Sequence, residues 1–223
     1  MDERLISLIG EENVKKINKT KVILVGVGGV GGIALEALVR SGINNITIYD
    51  NDKFVLSNLN RQIISNTNNI GHYKVKEAIK RMKSINPEIK IKGISEGVTK
   101  DNVKDLVYSD YIIDACDDID AKVALIKYAK DNNVKIISAL GTGKRLDPTG
   151  VVITTLENTQ NDALAKKLRG MLRKEEIDLD IPVVYASDMP LNNDRIVASS
   201  IFPPAVAGLY LAYYVINDII KEE

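Results

Sequence analysis

Residues 21–32, KVILVGVGGVGG, decide the fold of this chain. The run VILV is short, β-branched and uninterrupted, which is typical of a strand buried on both faces of a parallel sheet. Gly26, Gly28 and Gly31 follow it with the spacing G-x-G-x-x-G, and Gly29 lies between them. A helix-forming segment comes next, so the free N–H groups at its start point towards an anion, most often a phosphate. The stretch therefore predicts nucleotide binding, but it leaves the nucleotide open.

The composition excludes several classes of protein. The 223 residues contain 30 Lys and Arg against 30 Asp and Glu, so a globally basic nucleic-acid-binding surface is excluded, although a local basic patch is not. Cys116 is the single cysteine, which excludes a disulfide framework within the chain and a four-cysteine zinc site. The N-terminal residues lack a signal-peptide core, and we expect a cytoplasmic protein.

The most apolar run, residues 201–216, predicts a buried helix rather than a membrane span. It is shorter than a usual transmembrane helix, and Pro203 and Pro204 stand near its start. We therefore expect no membrane partner.

Apolar segments that predict strands alternate along the chain with segments of helical spacing. After a helical segment broken at Gly10, strands are expected at residues 22–25, 46–49, 89–94, 111–114 and 134–139, and helices at residues 30–41, 73–85, 102–107 and 121–130. This order predicts an α/β fold with a doubly wound, Rossmann-like, mostly parallel sheet that binds ligands at the carboxyl ends of its strands. Two later strands, residues 151–155 and 183–186, extend the sheet, with antiparallel pairing allowed. Helices at residues 163–174 and 203–220 complete a single domain of residues 1–223.

Asp50 ends the second predicted strand, 19 residues after Gly31. An acid at this place in a dinucleotide-binding unit takes the ribose hydroxyls, which fits both NAD and ATP. The alternative is a solvated turn residue.

A long loop follows, residues 50–71, and it carries apolar residues that disfavour disorder. Asp52, Asn58 and Arg61 lie within it, and Lys74 lies just beyond. Arg61 and Lys74 are able to contact phosphates, Arg through bidentate bonds and Lys as a point charge. An NAD site lacks a triphosphate for two extra cations to contact, so this pair favours ATP over NAD. The alternative is two solvated surface cations.

The motif DACDD, residues 114–118, follows a buried apolar strand. Asp114 and Asp117 are expected at the mouth of the nucleotide crevice, where carboxylates suit Mg²⁺, and Asp117 is the better placed of the two. The alternative is that Asp117 or Asp118 caps the next helix. Cys116 is interpreted as a buried small hydrophobe rather than a nucleophile. No general base of the usual kind is visible around His72, the single histidine.

Residues 163–174, ALAKKLRGMLRK, form an amphipathic segment whose apolar face holds Leu164, Leu168, Met171 and Leu172. Its basic residues are either a solvated face or an RNA contact, because a neutral protein that binds RNA needs a local patch of this kind. These residues are Lys166, Lys167, Arg169, Arg173 and Lys174.

Five motifs together resemble the ubiquitin-activating-enzyme-like adenylating family, which includes the molybdopterin- and thiamine-biosynthesis adenylyltransferases. They are GVGGVGG (26–32), IYDND (48–52), SNLNRQ (57–62), GHYK (71–74) and DACDD (114–118). The resemblance implies that the glycine loop holds ATP, that Asp50 binds its ribose and that Asp117 positions Mg²⁺ and the α-phosphate. It implies triphosphate contacts for Asn58, Arg61 and Lys74. It also implies that Arg4 is lent to the ATP site of a partner subunit, and hence a homodimer.

The second half resembles the tRNA threonylcarbamoyladenosine dehydratases within this family, in residues 141–174, 183–190 and 201–209. This resemblance implies an ATP-dependent cyclisation of the threonylcarbamoyl group beside the tRNA anticodon, and it favours tRNA contact by the basic segment. The CxxC pairs of the sulfur-carrier activators are absent, but adenylation of the C-terminal glycine of a small ubiquitin-like sulfur carrier stays open as an alternative. An NAD-binding oxidoreductase or nucleotide sensor is a third. A docking sulfur-transfer protein also stays open.

Overall fold

The computed structural model describes residues 3–192 and 198–221. Within them, seven strands form one sheet in the order β3-β2-β1-β4-β5-β7-β6. The strands are β1 (Lys21–Val25), β2 (Asn45–Tyr49), β3 (Lys90–Ile94), β4 (Tyr111–Asp114), β5 (Lys135–Ala139), β6 (Val151–Thr155) and β7 (Pro182–Ala186).

The first five strands run parallel, and β7 continues the sheet parallel to β5. Only β6 is antiparallel, against β7. The order reverses between β1 and β4, so the loops that follow these two strands open a crevice at the carboxyl edge of the sheet.

Helices cover both faces of the sheet. They are α1 (Glu3–Ile9), α2 (Glu11–Lys19), α3 (Gly31–Arg40), α4 (Lys74–Ile85), α5 (Ile119–Asp131), α6 (Ala163–Lys174) and α7 (Phe202–Lys221). Apolar side chains of α2, α3, α4 and α7 pack on one face, here called the front. Those of α5 and α6 pack on the other, the back. Alternate residues of β4 serve the two cores, with Tyr111 and Ile113 in front and Ile112 behind.

The structure confirms the doubly wound, mostly parallel fold with added strands and a terminal helix. The expected break at Gly10 separates α1 from α2, with a φ of 87° at that glycine. The helix predicted at residues 102–107 is wrong, because the backbone makes only a 3-10 turn at Val103–Asp105. Just before this turn, the side-chain oxygen of Asn102 accepts the N–H of Thr99 at 2.7 Å, a local bond that competes with helix formation.

The apolar run near the C-terminus forms α7, and Pro203 and Pro204 lie in its first turn. Its buried side chains pack against α3 and the front core. Among the described residues, no helix is long and apolar enough to cross a membrane.

Candidate active site

The glycine loop between β1 and α3 is built around two glycines that tolerate no side chain. Gly26 has a φ of 91°, and a Cβ there would lie 2.6 Å from the carbonyl oxygen of Ala115. A Cβ at Gly31 would overlap the carbonyl oxygen of Gly26. At Gly28, by contrast, the nearest atom is Nε2 of Gln62 at 3.8 Å. The first and third glycines of the motif therefore shape the turn, and the second leaves the backbone open to a ligand.

Asp50 joins the end of β2 to this loop. Its Oδ2 accepts the N–H of Val27 at 2.7 Å, and its Oδ1 accepts the N–H of Asp52 at 2.8 Å. Burial raises the pKa of Asp50, and the charge of Lys74 and the two N–H donors oppose this rise. Each carboxylate oxygen has two acceptor positions, so the bonds to the backbone leave capacity for ribose hydroxyls.

Lys74 is the first residue of α4, and its side chain is 7% exposed. Its Nζ lies 2.8 Å from Oδ2 of Asp52. The backbone N–H of Lys74 also donates to the carbonyl of Asp52 at 2.9 Å, and Phe54 N–H donates to His72 O at 3.0 Å. These bonds bring the two ends of the long loop together, which places the lysine beside Asp50 at the carboxyl edge of the sheet.

Arg61 lies over the glycine loop, where its Cγ would be 3.5 Å from a Cβ on Gly29. Its Nη1 donates to the carbonyl of Ser57 at 2.6 Å and to Oδ1 of Asn60 at 2.9 Å. Asn58 is buried, and its side-chain oxygen accepts the N–H of Val55 at 3.1 Å. Asn58 therefore builds the turn that carries Arg61, in addition to any contact with phosphate.

The three acids of the DACDD motif have different environments. Asp118 caps α5 by accepting the N–H groups of Asp120 and Ala121 at 2.8 and 3.0 Å. Asp117 is exposed, beyond the strand end. Asp114 is wholly buried and paired with Lys122, so its expected place at the mouth of the crevice is wrong. The cap and the candidate ligand are thus separate residues, and Asp117 is the exposed acid whose carboxylate is not used as a cap.

The Lys122–Asp114 pair was not expected from the sequence. Lys122 Nζ lies 3.0 and 3.1 Å from the two carboxylate oxygens and 2.7 Å from the carbonyl of Ala139. Asp114 Oδ1 also accepts from the N–H of Cys116 at 3.2 Å and from its Sγ at 3.0 Å. The lysine therefore connects α5 to the loops that follow β4 and β5. The sequence held one signal for this pair: an apolar strand ends in an acid, and a lysine within the next helix follows eight residues later.

Cys116 carries no activated thiolate. Burial raises the pKa of the Cys116 thiol, and the negative charge of Asp114 raises it further, against the opposing charge of Lys122. A nucleophilic cysteine needs a lowered pKa. The geometry thus supports the interpretation of Cys116 as a packed side chain.

Two further polar residues near the crevice were also missed as site residues. Gln62 is buried beside Gly28, and its Oε1 has no hydrogen-bond partner in the described part of the chain. Arg145 is buried and donates to the carbonyls of Gly143, Asn161 and Asp188 at 2.9–3.0 Å. Gln62 ends the SNLNRQ motif, which was its signal. Arg145 is identified only once the fold brings the three loops together.

Arg4 lies on α1, far from the glycine loop of its own chain. The neighbouring Leu5 lies at the position of Gly42, just past the end of α3, where its Cδ2 would be 3.8 Å from a Cβ. The glycine loop adjoins the other end of this 10-residue helix, about 15 Å away. Arg4 therefore does not complete the site of its own chain.

The basic residues of α6 divide into two kinds. Lys166, Lys167, Arg173 and Lys174 are exposed. Arg169 is half-buried, and its Nη1 donates to the carbonyls of Leu156 and Thr159 and to the hydroxyl of Thr159. The arginine thus holds the turn before α6, while the other four residues form an open basic face.

Within residues 3–192 and 198–221, no group of three or more His, Cys, Asp and Glu side chains is placed to hold a metal ion. A magnesium ion at this site would depend on one carboxylate and on the phosphate oxygens of a nucleotide, which is how Mg²⁺ is commonly bound. The exposed Asp117 fits that arrangement.

Several known proteins are similar to this chain. The tRNA threonylcarbamoyladenosine dehydratase of Bacillus subtilis is 32% identical over 96% of the chain and 92% of its own length. The protein of the same name from Escherichia coli is 39% identical over 75% of the chain, an alignment that spans 63% of its length. The E. coli enzyme TcdA in complex with AMP superposes with a TM-score of 0.92, covering 96% of this chain and 92% of the other, at 31% identity. A structure of the same enzyme with ATP also gives 0.92.

The profile of the ThiF family matches residues 2–170, which is most of the chain and includes all five motifs around the crevice. The match begins before α1 and ends within α6. This chain therefore belongs to the ThiF family.

Proposed function

We propose that this chain is an ATP-dependent tRNA threonylcarbamoyladenosine dehydratase that acts through carboxylate adenylation. The observation that carries the proposal is the convergence of Asp50, Lys74 and Arg61 around one open glycine loop, without an activated thiol beside it. The backbone of Ala115 and Cys116, just before Asp117, packs against Gly26 of the same loop. The near full-length similarity to the B. subtilis dehydratase and to the ATP and AMP complexes of the E. coli enzyme supports the same substrate.

The reaction has two steps. The carboxylate of the threonylcarbamoyl group attacks the α-phosphate of ATP, the bond between the α- and β-phosphates breaks, and pyrophosphate leaves. The ureido group of the same modification then attacks the activated carbonyl carbon, and AMP leaves with the former carboxylate oxygen. The sum is the loss of one water and the closure of a ring. Because the nucleophile belongs to the substrate, its high effective molarity makes an enzyme cysteine unnecessary.

The residues of the chain supply position and charge. Asp50 holds the ribose, and the open backbone at Gly28 receives the phosphates. Lys74 and Arg61 place positive charge where negative charge develops on the leaving pyrophosphate, which is the largest contribution that such a site makes to rate. Asn58 contacts the triphosphate from the turn it builds, and Asp52 orients the ammonium group of Lys74 at 2.8 Å.

Asp117 is the residue that would hold Mg²⁺ together with the phosphate oxygens. When bound, the ion neutralises phosphate charge. Asp117 suits this role because it is exposed, whereas Asp118 caps α5 and Asp114 is paired.

We also infer a homodimer in which Arg4 of one subunit enters the crevice of the other. The distance between Arg4 and its own glycine loop supports this arrangement. So does a set of exposed apolar side chains on α1, the long loop and α7, since such side chains mark interaction surfaces. They are Leu8, Leu56, Leu209, Tyr210 and Tyr213.

The exposed residues of α6, Lys166, Lys167, Arg173 and Lys174, are proposed to contact tRNA phosphates. Arg169 is left out of this set because its guanidinium holds the preceding turn. Since tRNA and ATP are both cytoplasmic, we place the reaction in the cytoplasm. Docking of a sulfur-transfer protein stays a prediction of the family resemblance alone.

Single-turnover assays with modified tRNA test the assignment of roles. Lys74→Ala and Asp117→Ala are expected to lose at least two orders of magnitude in the rate of AMP formation, a typical cost for removing a preorganised charge. The exposed Lys83→Ala, on the last turn of α4, is the control and keeps the wild-type rate. Full-rate conversion by Lys74→Ala would contradict the proposed roles.

The co-substrate required for pyrophosphate exchange distinguishes the proposed function from the alternative, which is adenylation of a ubiquitin-like sulfur carrier. Pyrophosphate exchange is expected to depend on the modified tRNA. Exchange that depends on a β-grasp protein instead would favour the alternative. Tighter binding of NAD than of ATP with Mg²⁺ would favour the third alternative, an NAD-binding oxidoreductase or nucleotide sensor.

A further inference from the structure

A groove of about 440 Å³ opens on the back face of the sheet, away from the crevice. We call it the lysine groove and define it by six of its lining residues. They are Lys21, Asn45, Thr47, Lys90, Lys92 and Tyr108. None of them belongs to the candidate active site, and no family motif includes them.

The groove exists because the connection from β3 to β4 lacks a helix. That connection contains only the 3-10 turn at Val103–Asp105, whose neighbours Val98 and Leu106 cover the carboxyl-terminal half of the back face. The amino-terminal halves of β1, β2 and β3 stay uncovered on this side, and the 107–109 segment forms one wall. The groove thus results from the helix-free connection between β3 and β4.

Strand register arranges the polar residues in two rows. Lys21 pairs with Asn45, and Asn45 pairs with Lys90. The second row runs from Thr47 to Lys92, two residues further along each strand and therefore on the same face. Hydrogen-bonding side chains and lysines thus lie side by side across three strands.

The charge of the groove is positive. Lys90 and Lys92 are exposed, and neither forms an ion pair with another described residue. The acid nearest to the groove along the chain, Asp110, is already bonded: Oδ1 accepts the Tyr108 hydroxyl at 3.1 Å, and Oδ2 accepts the N–H of Lys21 at 2.8 Å. Both donors are uncharged, so Asp110 counts as one negative charge against the three lysines of the groove, and a net positive charge remains for a ligand.

The wall of the groove offers an aromatic ring. Tyr108 is 72% exposed, and Lys21 Nζ lies 5.0 Å from its ring centroid. Next to it, the hydroxyl of Ser109 is buried without a hydrogen-bond partner among the described residues. Lysines next to an exposed ring are the combination with which proteins bind RNA backbone and unpaired bases.

We propose that the lysine groove binds the phosphate backbone of the tRNA substrate. The proposal rests on the function proposed above. Thr47 stands three residues before Asp50, so the groove lies about 10 Å along β2 from the ribose-binding position. A tRNA is long enough to engage both places at once, and a second contact would hold it in register for the reaction.

Binding of modified tRNA and of its isolated anticodon stem-loop, each measured over a range of salt concentrations, tests the proposal. Lys92→Glu is expected to weaken binding of whole tRNA about tenfold and to lower the slope of log K against log salt by about one. The stem-loop should lose affinity by a similar factor, because the groove lies only about 10 Å along β2 from the ribose-binding position. The KM for ATP should not change. Lys83→Glu, the same charge reversal on the front-face helix α4, should leave every value at the wild-type level, and Lys92→Arg should retain the affinity.

Wild-type affinity and slope in Lys92→Glu would overturn the proposal. A loss of affinity with the wild-type slope would overturn it too, because Lys92 would then not neutralise a phosphate. Failure of the proposed function is a separate result, in which the wild-type chain converts no tRNA. Because Lys92 is exposed, Lys92→Glu is expected to fold, and a wild-type KM for ATP verifies this.

Discussion

Lys122 Nζ lies 3.0 Å from Oδ2 of Asp114, and neither side chain is exposed to solvent. Burial alone would lower the pKa of Lys122, but the carboxylate of Asp114 outweighs this and holds the pKa above its ordinary value. Lys122 therefore stays charged inside the back core. Because Asp114 is the last residue of β4, the pair fixes the start of the loop that carries Asp117.

Lys122→Met is the variant that tests this relationship. Removing one partner leaves a buried, uncompensated carboxylate, which costs about 3–5 kcal/mol of the free energy of unfolding. Urea unfolding monitored by circular dichroism measures the loss. Lys127→Met, an exposed position on the same helix, is the control and should change the stability little, because its ion pair is solvent-exposed.

The double variant Lys122→Met with Asp114→Asn sharpens the test. It removes the orphaned charge, so it should be more stable than Lys122→Met alone. A Lys122→Met protein as stable as the wild type would show that the pair does not hold the two loops together.

The glycines of the nucleotide loop give a second prediction. Gly31→Ala forces a Cβ onto the carbonyl of Gly26 and should abolish the folded state or ATP binding. Gly28→Ala meets only Gln62 at 3.8 Å, so it should keep the melting temperature while weakening ATP binding. Gly170→Ala, in α6 with no atom within 4 Å, should raise stability by up to about 1 kcal/mol. Thermal unfolding and ATP titration measure all three. Normal folding and ATP affinity in Gly31→Ala would refute the steric argument.

The partner-subunit role of Arg4 is tested by complementation. Arg4→Ala and Lys74→Ala should each be nearly inactive alone. In a heterodimer of the two, one crevice keeps Lys74 and receives an intact Arg4 from its neighbour. Co-expression in equal amounts should therefore restore about a quarter of wild-type activity, since half of the dimers carry one good site in two. No recovery in verified heterodimers would mean that Arg4 acts within its own chain, and full activity of Arg4→Ala alone would mean that it has no role in the reaction.

The pH dependence of stability carries a fourth prediction, at Glu36, which links α3 to Arg81 of α4 at 3.0 Å. Burial raises the pKa of Glu36, but hydrogen bonds from Arg81 and Arg40 outweigh it and lower the pKa below 4.5. A lowered folded-state pKa adds stability above the unfolded value, and this stability is lost as the pH falls through the folded value. Glu36→Gln should therefore cost about 0.5–1 kcal/mol at neutral pH and progressively less below pH 4.5.

Denaturant titrations at several pH values measure this difference. Glu88→Gln, at an exposed position, is the control and should show no such trend. A difference that grows as the pH falls would contradict the sign of the argument.

The sequence predicted the parts of the fold that rest on local patterns. The run before Asp114 matches β4 at both ends, because a short, wholly apolar segment ending in an acid is strongly typical of a buried strand. The position of β7 between β5 and β6 is a property of tertiary pairing, which hydrophobic pattern does not encode. At residues 102–107, where a helix was predicted, the chain makes only the 3-10 turn at Val103–Asp105.

The candidate site shows the same division. Asp50 and Lys74 were predicted from spacing and motif, and the structure brings them to the same edge of the sheet. Asp114 was misplaced because its neutralising partner lies on a helix whose lysines all look solvent-facing in sequence. Arg145 acts through three loops that meet only in the folded chain, so no local pattern identifies it.

The central claim is that the chain dehydrates the threonylcarbamoyl group of tRNA at the expense of ATP. Mass spectrometry of nucleosides from modified tRNA, incubated with the protein, ATP and Mg²⁺, tests it most directly. The account predicts a nucleoside lighter by one water, formed with one AMP and one pyrophosphate per turnover, and none of it with Lys74→Ala. An unchanged nucleoside mass in the presence of folded, ATP-binding wild-type protein would contradict it.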